Sequence, residues 1–127
     1  MSSNDRGEAR SVILRLRRYR DRMVDIAAAA AAPPTAIADV NAFNRKLRSL
    51  KTDLVNDAHE CDIGRRRAVQ TACEEQFLWP ALREAADAMP DRTGAHAGDS
   101  RPEAHLRAAR NRIQHYLGRL ESLYPTL

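Results

Sequence analysis

The chain has 127 residues, of which 43% are apolar, and this length suits one domain with a single core. Its 21 basic and 17 acidic residues leave a formal net charge of +4, and its five glycines argue against a turn-rich β fold. The two cysteines, Cys61 and Cys73, indicate reduced thiols rather than a disulfide framework. Because we find neither a leader segment nor an apolar run of membrane-spanning length, we expect a cytoplasmic protein with no membrane contact.

Arginine accounts for 19 of the 21 basic residues. Two explanations of this arginine excess remain open. The arginines serve contacts with nucleic-acid phosphates, or they reflect the codon usage of a GC-rich genome.

Apolar residues at heptad spacing predict a first helix over residues 8–32, after a polar, flexible N-terminal segment 1–8. The pair Pro33-Pro34 ends this helix, because a proline ring donates no backbone hydrogen bond. Thr35 is then a suitable N-cap for a second helix. We expect the second helix to end near Gly64, which can take a left-handed conformation.

A third helical pattern covers residues 65–89 and contains Pro80. Either the helix kinks at Pro80 or two helices meet there, and we favour the kink. Residues 90–99 predict a polar loop, after which a capping-box sequence at 100–103 begins a fourth helix. Four helices joined by short connections predict an all-α, single-domain antiparallel four-helix bundle over residues 9–127.

The core of this bundle is expected to come from the large apolar residues at these spacings. They are Val12, Leu16, Tyr19, Met23, Ile26, Ile37, Val40, Phe43, Leu47, Leu50, Leu54, Val69, Phe77, Trp79, Leu82, Met89, Leu106, Ile113, Tyr116, Leu117, Leu120 and Tyr124.

The segment from Arg110 through Asn111 to His115 resembles the Arg-x(4–6)-His signature of HEPN-domain ribonucleases, in its Arg-Asn-x-x-x-His form. That family consists of small four-helix bundles with the motif at the last helix. The resemblance implies metal-independent RNA cleavage at a site completed by a homodimer, in a bacterial defence or toxin system. It implies that His115 is the acid/base group, that Arg110 holds the scissile phosphate, and that Asn111 positions one of the two.

The chemistry of these residue types suits RNA cleavage, since histidine titrates near neutral pH and arginine offers a planar fork to phosphate. Within one regular helix, however, Arg110 and His115 point about 140° apart, whereas Asn111 and His115 share an outward face. A catalytic pair therefore needs an irregular helix start or a dimer two-fold axis.

A second segment, from Glu74 to Glu84, resembles the Glu-Glu-x-x-Leu-aromatic-Pro-x-Leu segment of hemerythrin-like cation-binding bundles. His105 stands near the position of that family's next-helix histidine. Gln70 occupies a position where the resemblance implies a histidine ligand, and the predicted first helix has no histidine. We therefore expect no metal and no other cofactor.

Basic residues form the third feature. Arg15, Arg18 and Arg22 share one flank of the predicted first helix, and the turn Arg65-Arg66-Arg67 extends the basic surface. These side chains are candidates to contact the backbone of RNA or DNA. The alternative is that they are ordinary solvated side chains paired with acidic neighbours. No aromatic residues are interleaved with them, so base-specific reading of a single strand is not expected.

Two functions remain open from the sequence. The first is a HEPN-like endoribonuclease that acts as a homodimer. The second is a non-catalytic basic helical subunit or adaptor that binds nucleic acid or a larger protein assembly. Both predict a nucleic-acid affinity that falls with salt, but only the first predicts turnover that depends on His115. A metal-free hemerythrin-like bundle would show neither.

Overall fold

The computed structural model describes residues 3–31, 37–89 and 101–125, with side chains over 6–28, 41–89 and 104–125. These residues form four α-helices and no strand: α1 (Ser3–Ala31), α2 (Ile37–Arg66), α3 (Trp79–Ala88) and α4 (Arg101–Leu123). A π-helical turn, Glu74–Leu78, leads directly into α3. The predicted all-α fold is confirmed.

The helices form a ring in which α1 and α3 each pack against both α2 and α4. Pairs of side chains fix their directions. Tyr19 contacts Asp57 and Arg22 contacts Asp53, so the chain order on α1 is opposite to that on α2. Contacts between α2 and α3 and between α3 and α4 also run in opposite order. The predicted antiparallel four-helix bundle is therefore the observed architecture.

The core is aliphatic, because leucine and other large apolar residues recur every three or four positions and place one stripe of each helix inward. Its largest fully buried side chains are Ile13, Leu16, Met23, Leu47, Leu50, Leu54, Leu78, Leu82, Met89, Leu106, Ile113 and Leu117. Most of them stand at predicted core positions, and each contributes roughly 1.5–3 kcal/mol on burial. Val69 is a wrong prediction, since it lies in a connection and is 73% exposed.

Helix α1 begins at Ser3, so the predicted start near residue 8 is wrong. The flexibility of the segment 1–8 stays a prediction. The predictions for residues 32–36 and for the loop and capping box at 90–100 fall outside the residues that the structure describes.

Helix α2 runs to Arg66 and ends in a Schellman motif. The Val69 amide donates to the Gly64 carbonyl at 3.0 Å, and the Ala68 amide donates to the Arg65 carbonyl at 3.2 Å. Ala68 takes the left-handed conformation with φ 56°, whereas Gly64 stays within the helix. The prediction of a left-handed Gly64 is therefore wrong.

The next helical stretch covers residues 72–88 and begins with a capping box rather than at Arg65. The Glu74 amide donates to the Thr71 hydroxyl at 3.2 Å, and the Thr71 amide donates to the Glu74 carboxylate at 3.4 Å. The stretch continues through Pro80. Just before that proline, the Trp79 amide donates five residues back to the Glu74 carbonyl, so a π turn changes the hydrogen-bond register there.

Candidate nucleic-acid interface

The residues of the Arg-Asn-x-x-x-His motif lie on α4, which is an uninterrupted α-helix from Arg101 to Leu123. Asn111 and His115 are exposed, while Arg110 is half-buried. At 100° per residue, Arg110 lies on the side of α4 that also carries Glu121, which pairs with Arg17 of α1 at 3.5 Å. The structure thus brings Asn111 and His115 to one face and leaves Arg110 on another.

The arginines that share the face of His115 are Arg112 and Arg119, which lie three residues before it and four residues after it. Both are exposed. The Arg112 guanidinium lies 3.9 Å from the Glu84 carboxylate of α3, and Arg119 lies over the Phe77 ring at 5.9 Å. An ion pair at that distance between partly exposed groups leaves the Arg112 charge available to a ligand.

A tyrosine on the side of α4 that packs on α3 links the two helices. The Tyr116 hydroxyl donates a hydrogen bond to the Glu84 carboxylate. This bond, together with burial, raises the pKa of Tyr116, because ionisation would place two negative charges side by side. The His115 ring stands edge-on to the Tyr116 ring, with 5.1 Å between their centroids. His115 is therefore oriented by its neighbour, while its exposed edge faces solvent.

Every exposed residue of α4 over 104–123 is basic or uncharged, and we name this set the α4 face. It comprises Ala104, Arg107, Ala108, Asn111, Arg112, Gln114, His115, Arg119, Ser122 and Leu123. On α1, by contrast, the acidic Asp21 and Asp25 are exposed among the arginines. Over 104–123, the one carboxylate of α4 is Glu121, which pairs with Arg17 at the margin of this face, so the face itself attracts a polyanion.

The predicted flank of α1 faces the carboxylates of α2. Arg22 forms an ion pair with Asp53 at 2.8 Å and lies over the Tyr19 ring at 5.7 Å. Arg15 is half-buried beside the Cys61 thiol, whose pKa is raised by burial and lowered by the Arg15 charge. Arg18 is exposed. Two of the three predicted contacts are thus held within the packed region between α1 and α2.

The predicted basic turn at the end of α2 is part of a side-chain cluster. Arg65 lies over the Trp79 ring at 4.4 Å and approaches Asp62 at 3.6 Å. Arg66 pairs with Asp62 at 3.0 Å. Arg67 is exposed. Arg65 also approaches Glu75 of the π turn at 3.7 Å, so its contacts with Trp79 and Glu75 link α2 to the next helical stretch. This turn therefore has a structural role whatever it binds.

The residues of the hemerythrin-like resemblance do not assemble a ligand set. Nδ1 of His105 lies 3.1 Å from the Ala88 carbonyl at the C-terminus of α3, where it acts as a hydrogen-bond donor. Lys51 donates to the Ala86 and Met89 carbonyls of the same helix end. Among the described side chains, no group of three or more histidine, cysteine, aspartate or glutamate residues has the arrangement of a metal site.

Comparisons with protein-family models, with curated proteins and with solved structures find no match to this chain. No helix, over the residues described, combines the length and the apolarity needed to cross a membrane.

Arg107, Arg112 and Arg119 were not predicted as candidates from the sequence, because they are neither defined residues of the Arg-Asn-x-x-x-His motif nor part of a cluster of consecutive arginines. The signal was present in the sequence. Once the apolar stripe of α4 is placed inward, the remaining positions over 104–123 can be sorted by charge, and all the exposed ones lack a carboxylate.

Proposed function

We propose that this protein binds the sugar-phosphate backbone of a nucleic acid, without catalysis, through the α4 face. The observation that carries the proposal is the segregation of charge on α4. Arg107, Arg112 and Arg119 are exposed together with His115, and no exposed residue between 104 and 123 is acidic. This refines the prediction of a basic helical subunit and moves the interface away from α1.

The dimensions of the α4 face suit a phosphate backbone. Arg107 and Arg119 are twelve residues apart, which corresponds to about 18 Å along the helix axis. Arg107 lies about 140° from Arg112 and about 120° from Arg119 round the helix, so these arginines flank the outward strip of Asn111 and His115 on its two sides. A duplex presents one charge per roughly 1.7 Å of its axis, so several phosphates lie opposite a strip of this length. Asn111 and Ser122 add neutral hydrogen-bond donors of the kind that contact phosphates.

The same surface does not favour base recognition. Tyr116, the only phenylalanine, tyrosine or tryptophan among the described side chains of α4, is half-buried and donates to Glu84, which leaves the His115 imidazole as the one exposed ring among them. Stacking on bases needs exposed rings, whereas contacts to phosphates carry no sequence information. We therefore expect duplexes of different sequence to bind with similar affinity.

The test is a calorimetric titration with a duplex of about 12 base pairs, in 50 mM to 200 mM salt. Three arginine contacts predict a slope of log K against log salt of about −3 for the site on α4. The double variant Arg107→Gln/Arg112→Gln retains one of the three contacts, so its α4 site should be lost above 50 mM salt. We expect the number of duplexes bound per protein molecule to be lower by one for this variant than for the wild type.

The matched control is Arg10→Gln/Arg18→Gln, which removes two exposed charges of the same sign from α1. It should bind as many duplexes as the wild type. If the two double variants bind the same number, the α4 face is not the interface and the proposal fails.

A second candidate is the HEPN-like endoribonuclease. The exposure of His115, with Asn111 one turn before it and Arg112 on the same side, favours this candidate. Because Arg110 lies on another face of the same helix, cleavage through the Arg110–His115 pair requires a second copy of the chain. We propose a homodimer only in connection with this activity.

Incubation of RNA with the purified protein in EDTA tests this candidate. RNA cleavage by the wild type that is lost in His115→Ala, and that accompanies a dimer in size-exclusion chromatography, would establish it. Binding without cleavage in both proteins would leave the backbone-binding function alone. Asn111→Ala serves as the second variant, because it alters the same face without removing a titratable group.

A further inference from the structure

We infer that α2 carries a second backbone-binding face on the opposite side of the bundle, so that one molecule joins two nucleic-acid segments. The inference rests on the proposed function for the identity of the ligand. Its own evidence is a row of exposed polar residues along α2, which we name the α2 face. The row comprises Asn41, Arg45, Arg48, Ser49, Thr52, Asn56, His59 and Arg66.

From Asn41 to His59 these residues follow helical spacing, and Arg66 stands two turns further on, so they line the outward side of α2. That side lies opposite the buried stripe of Leu47, Leu50 and Leu54. Each of them can donate a hydrogen bond to a phosphate oxygen. From Arg45 to Arg66 the row extends about 31 Å along the helix axis. Its length and its donors match a polyanionic backbone.

The carboxylates of α2 over 41–66 lie at the margins of this row. Asp53 and Asp57 face α1, where they hold Arg22 and the Tyr19 hydroxyl. Asp62 is half-buried and pairs with Arg65 and Arg66.

Glu60 is the one exposed carboxylate of α2 over 41–66, and it lies about 100° round the helix from His59. Over 41–66, Asp53 and Asp57 thus contact α1, Asp62 pairs with arginines of α2 itself, and Glu60 lies to one side of the row. The row itself holds no carboxylate, so it attracts an anion.

The two basic faces cannot meet on one short ligand. Helices α1 and α3 each pack against both α2 and α4, so they separate these two helices across the bundle. The outward sides of α2 and α4 therefore point away from each other. A duplex with a persistence length of about 150 base pairs does not bend around a bundle of this size. Two faces thus imply two separate duplexes.

The measurement that tests the inference combines stoichiometry with bridging. Calorimetry with the 12-base-pair duplex should give two duplexes per wild-type molecule. It should give one for Arg45→Gln/Arg48→Gln, one for Arg107→Gln/Arg112→Gln and none for the variant with all four substitutions. In the bridging assay, wild-type protein on a bead-immobilised 30-base-pair duplex should capture a second, fluorescent duplex of unrelated sequence.

Either double variant should lower this capture at least fivefold, while Arg10→Gln/Arg18→Gln should leave it unchanged. The inference is overturned if the α2 variant captures as much of the second duplex as the wild type does. That result would follow if a dimer of the protein bridged two duplexes through its two α4 faces alone. The inference is also overturned if Arg45→Gln/Arg48→Gln weakens binding to phosphatidylserine vesicles but leaves duplex capture intact. A wild type that binds one duplex, with an α4 variant that binds none, overturns the second face and leaves the proposed function standing.

Discussion

Ala68 holds a left-handed conformation, with φ 56°, at the position of the Schellman motif where glycine is usual. A β-carbon in this region costs about 1 kcal/mol, because it crowds the neighbouring carbonyl oxygen. We expect Ala68→Gly to raise the free energy of unfolding by about that amount in urea titrations.

The same chemical change should have the opposite sign in a helix interior. Ala108→Gly, at an exposed position of α4, should lower the free energy of unfolding by roughly 0.5–1 kcal/mol. If both substitutions destabilise the protein equally, the left-handed assignment of Ala68 is wrong.

Tyr19 is a buried phenol whose hydroxyl donates to the Asp57 carboxylate. Burial, followed by the hydrogen bond to Asp57 and the charge of that carboxylate, raises its pKa. The stability that depends on the neutral phenol is therefore complete below the unfolded value of about 10 and is lost as the pH rises above it.

We expect the free energy of unfolding of the wild type to fall more steeply between pH 10 and pH 11 than that of Tyr19→Phe. The difference is at most about 1.4 kcal/mol per pH unit for one proton. Tyr116→Phe is the variant to compare with Tyr19→Phe, because the pKa of Tyr116 is raised mainly by its hydrogen bond to Glu84, whereas that of Tyr19 is raised mainly by burial. Equal slopes for the wild type and Tyr19→Phe would contradict the burial of an obligatorily neutral phenol.

Among the elements, the start of the helical stretch before α3 depends on one capping box. Thr71 accepts a hydrogen bond from the Glu74 amide, and its own hydroxyl donates to the Glu74 carboxylate at 2.9 Å. We expect Thr71→Ala to cost about 1 kcal/mol in thermal or urea unfolding, with partial rescue by Thr71→Ser. Thr52→Ala is the control at an exposed position inside α2, where alanine should be neutral or stabilising. A similar cost at both sites would refute the cap.

The elements also show what could be predicted from the sequence and why. Heptad spacing predicts α1, α2 and α4, because burial of one stripe dominates the energy of a long helix. The junction of α2 with the π turn was predicted wrongly, because the prediction rested on Gly64 and did not use the Thr-x-x-Glu pattern at Thr71. The π turn before Pro80 depends on the hydrogen bond from the Trp79 amide to the Glu74 carbonyl. No spacing of residues in the sequence indicates that bond.

The candidate interface also has features that could be predicted from the sequence and features that could not. That Asn111 and His115 share an outward face could be predicted from the sequence, because it follows from 100° per residue. That Arg22 is held by Asp53 could not, because it requires knowing that this part of α1 packs beside α2 in antiparallel order. Charges along one helix are readable from the sequence, whereas pairing between helices is a property of the fold.

At the scale of the molecule, the described arginines include two groups that differ in what they face. Arg22 and Arg17 lie between helices and pair with Asp53 and Glu121, at 2.8 Å and 3.5 Å. Arg107 and its neighbours on the α4 face point to solvent. Net charge alone does not distinguish the two groups, since loss of any one arginine lowers it by the same amount. Function should therefore follow the position of each charge rather than the total.

A crossed comparison of two single substitutions tests this division. Arg22→Gln should lower the free energy of unfolding by up to about 1 kcal/mol, because it breaks a half-exposed ion pair, and should leave duplex binding unchanged. Arg107→Gln should leave unfolding unchanged but weaken one duplex site several-fold and reduce the magnitude of its salt slope by about 1. Urea unfolding and duplex titration on the same two proteins measure both effects. If Arg22→Gln weakens binding as much as Arg107→Gln, the α1 arginines contact the backbone directly, and the charges of this bundle act through their sum rather than their placement.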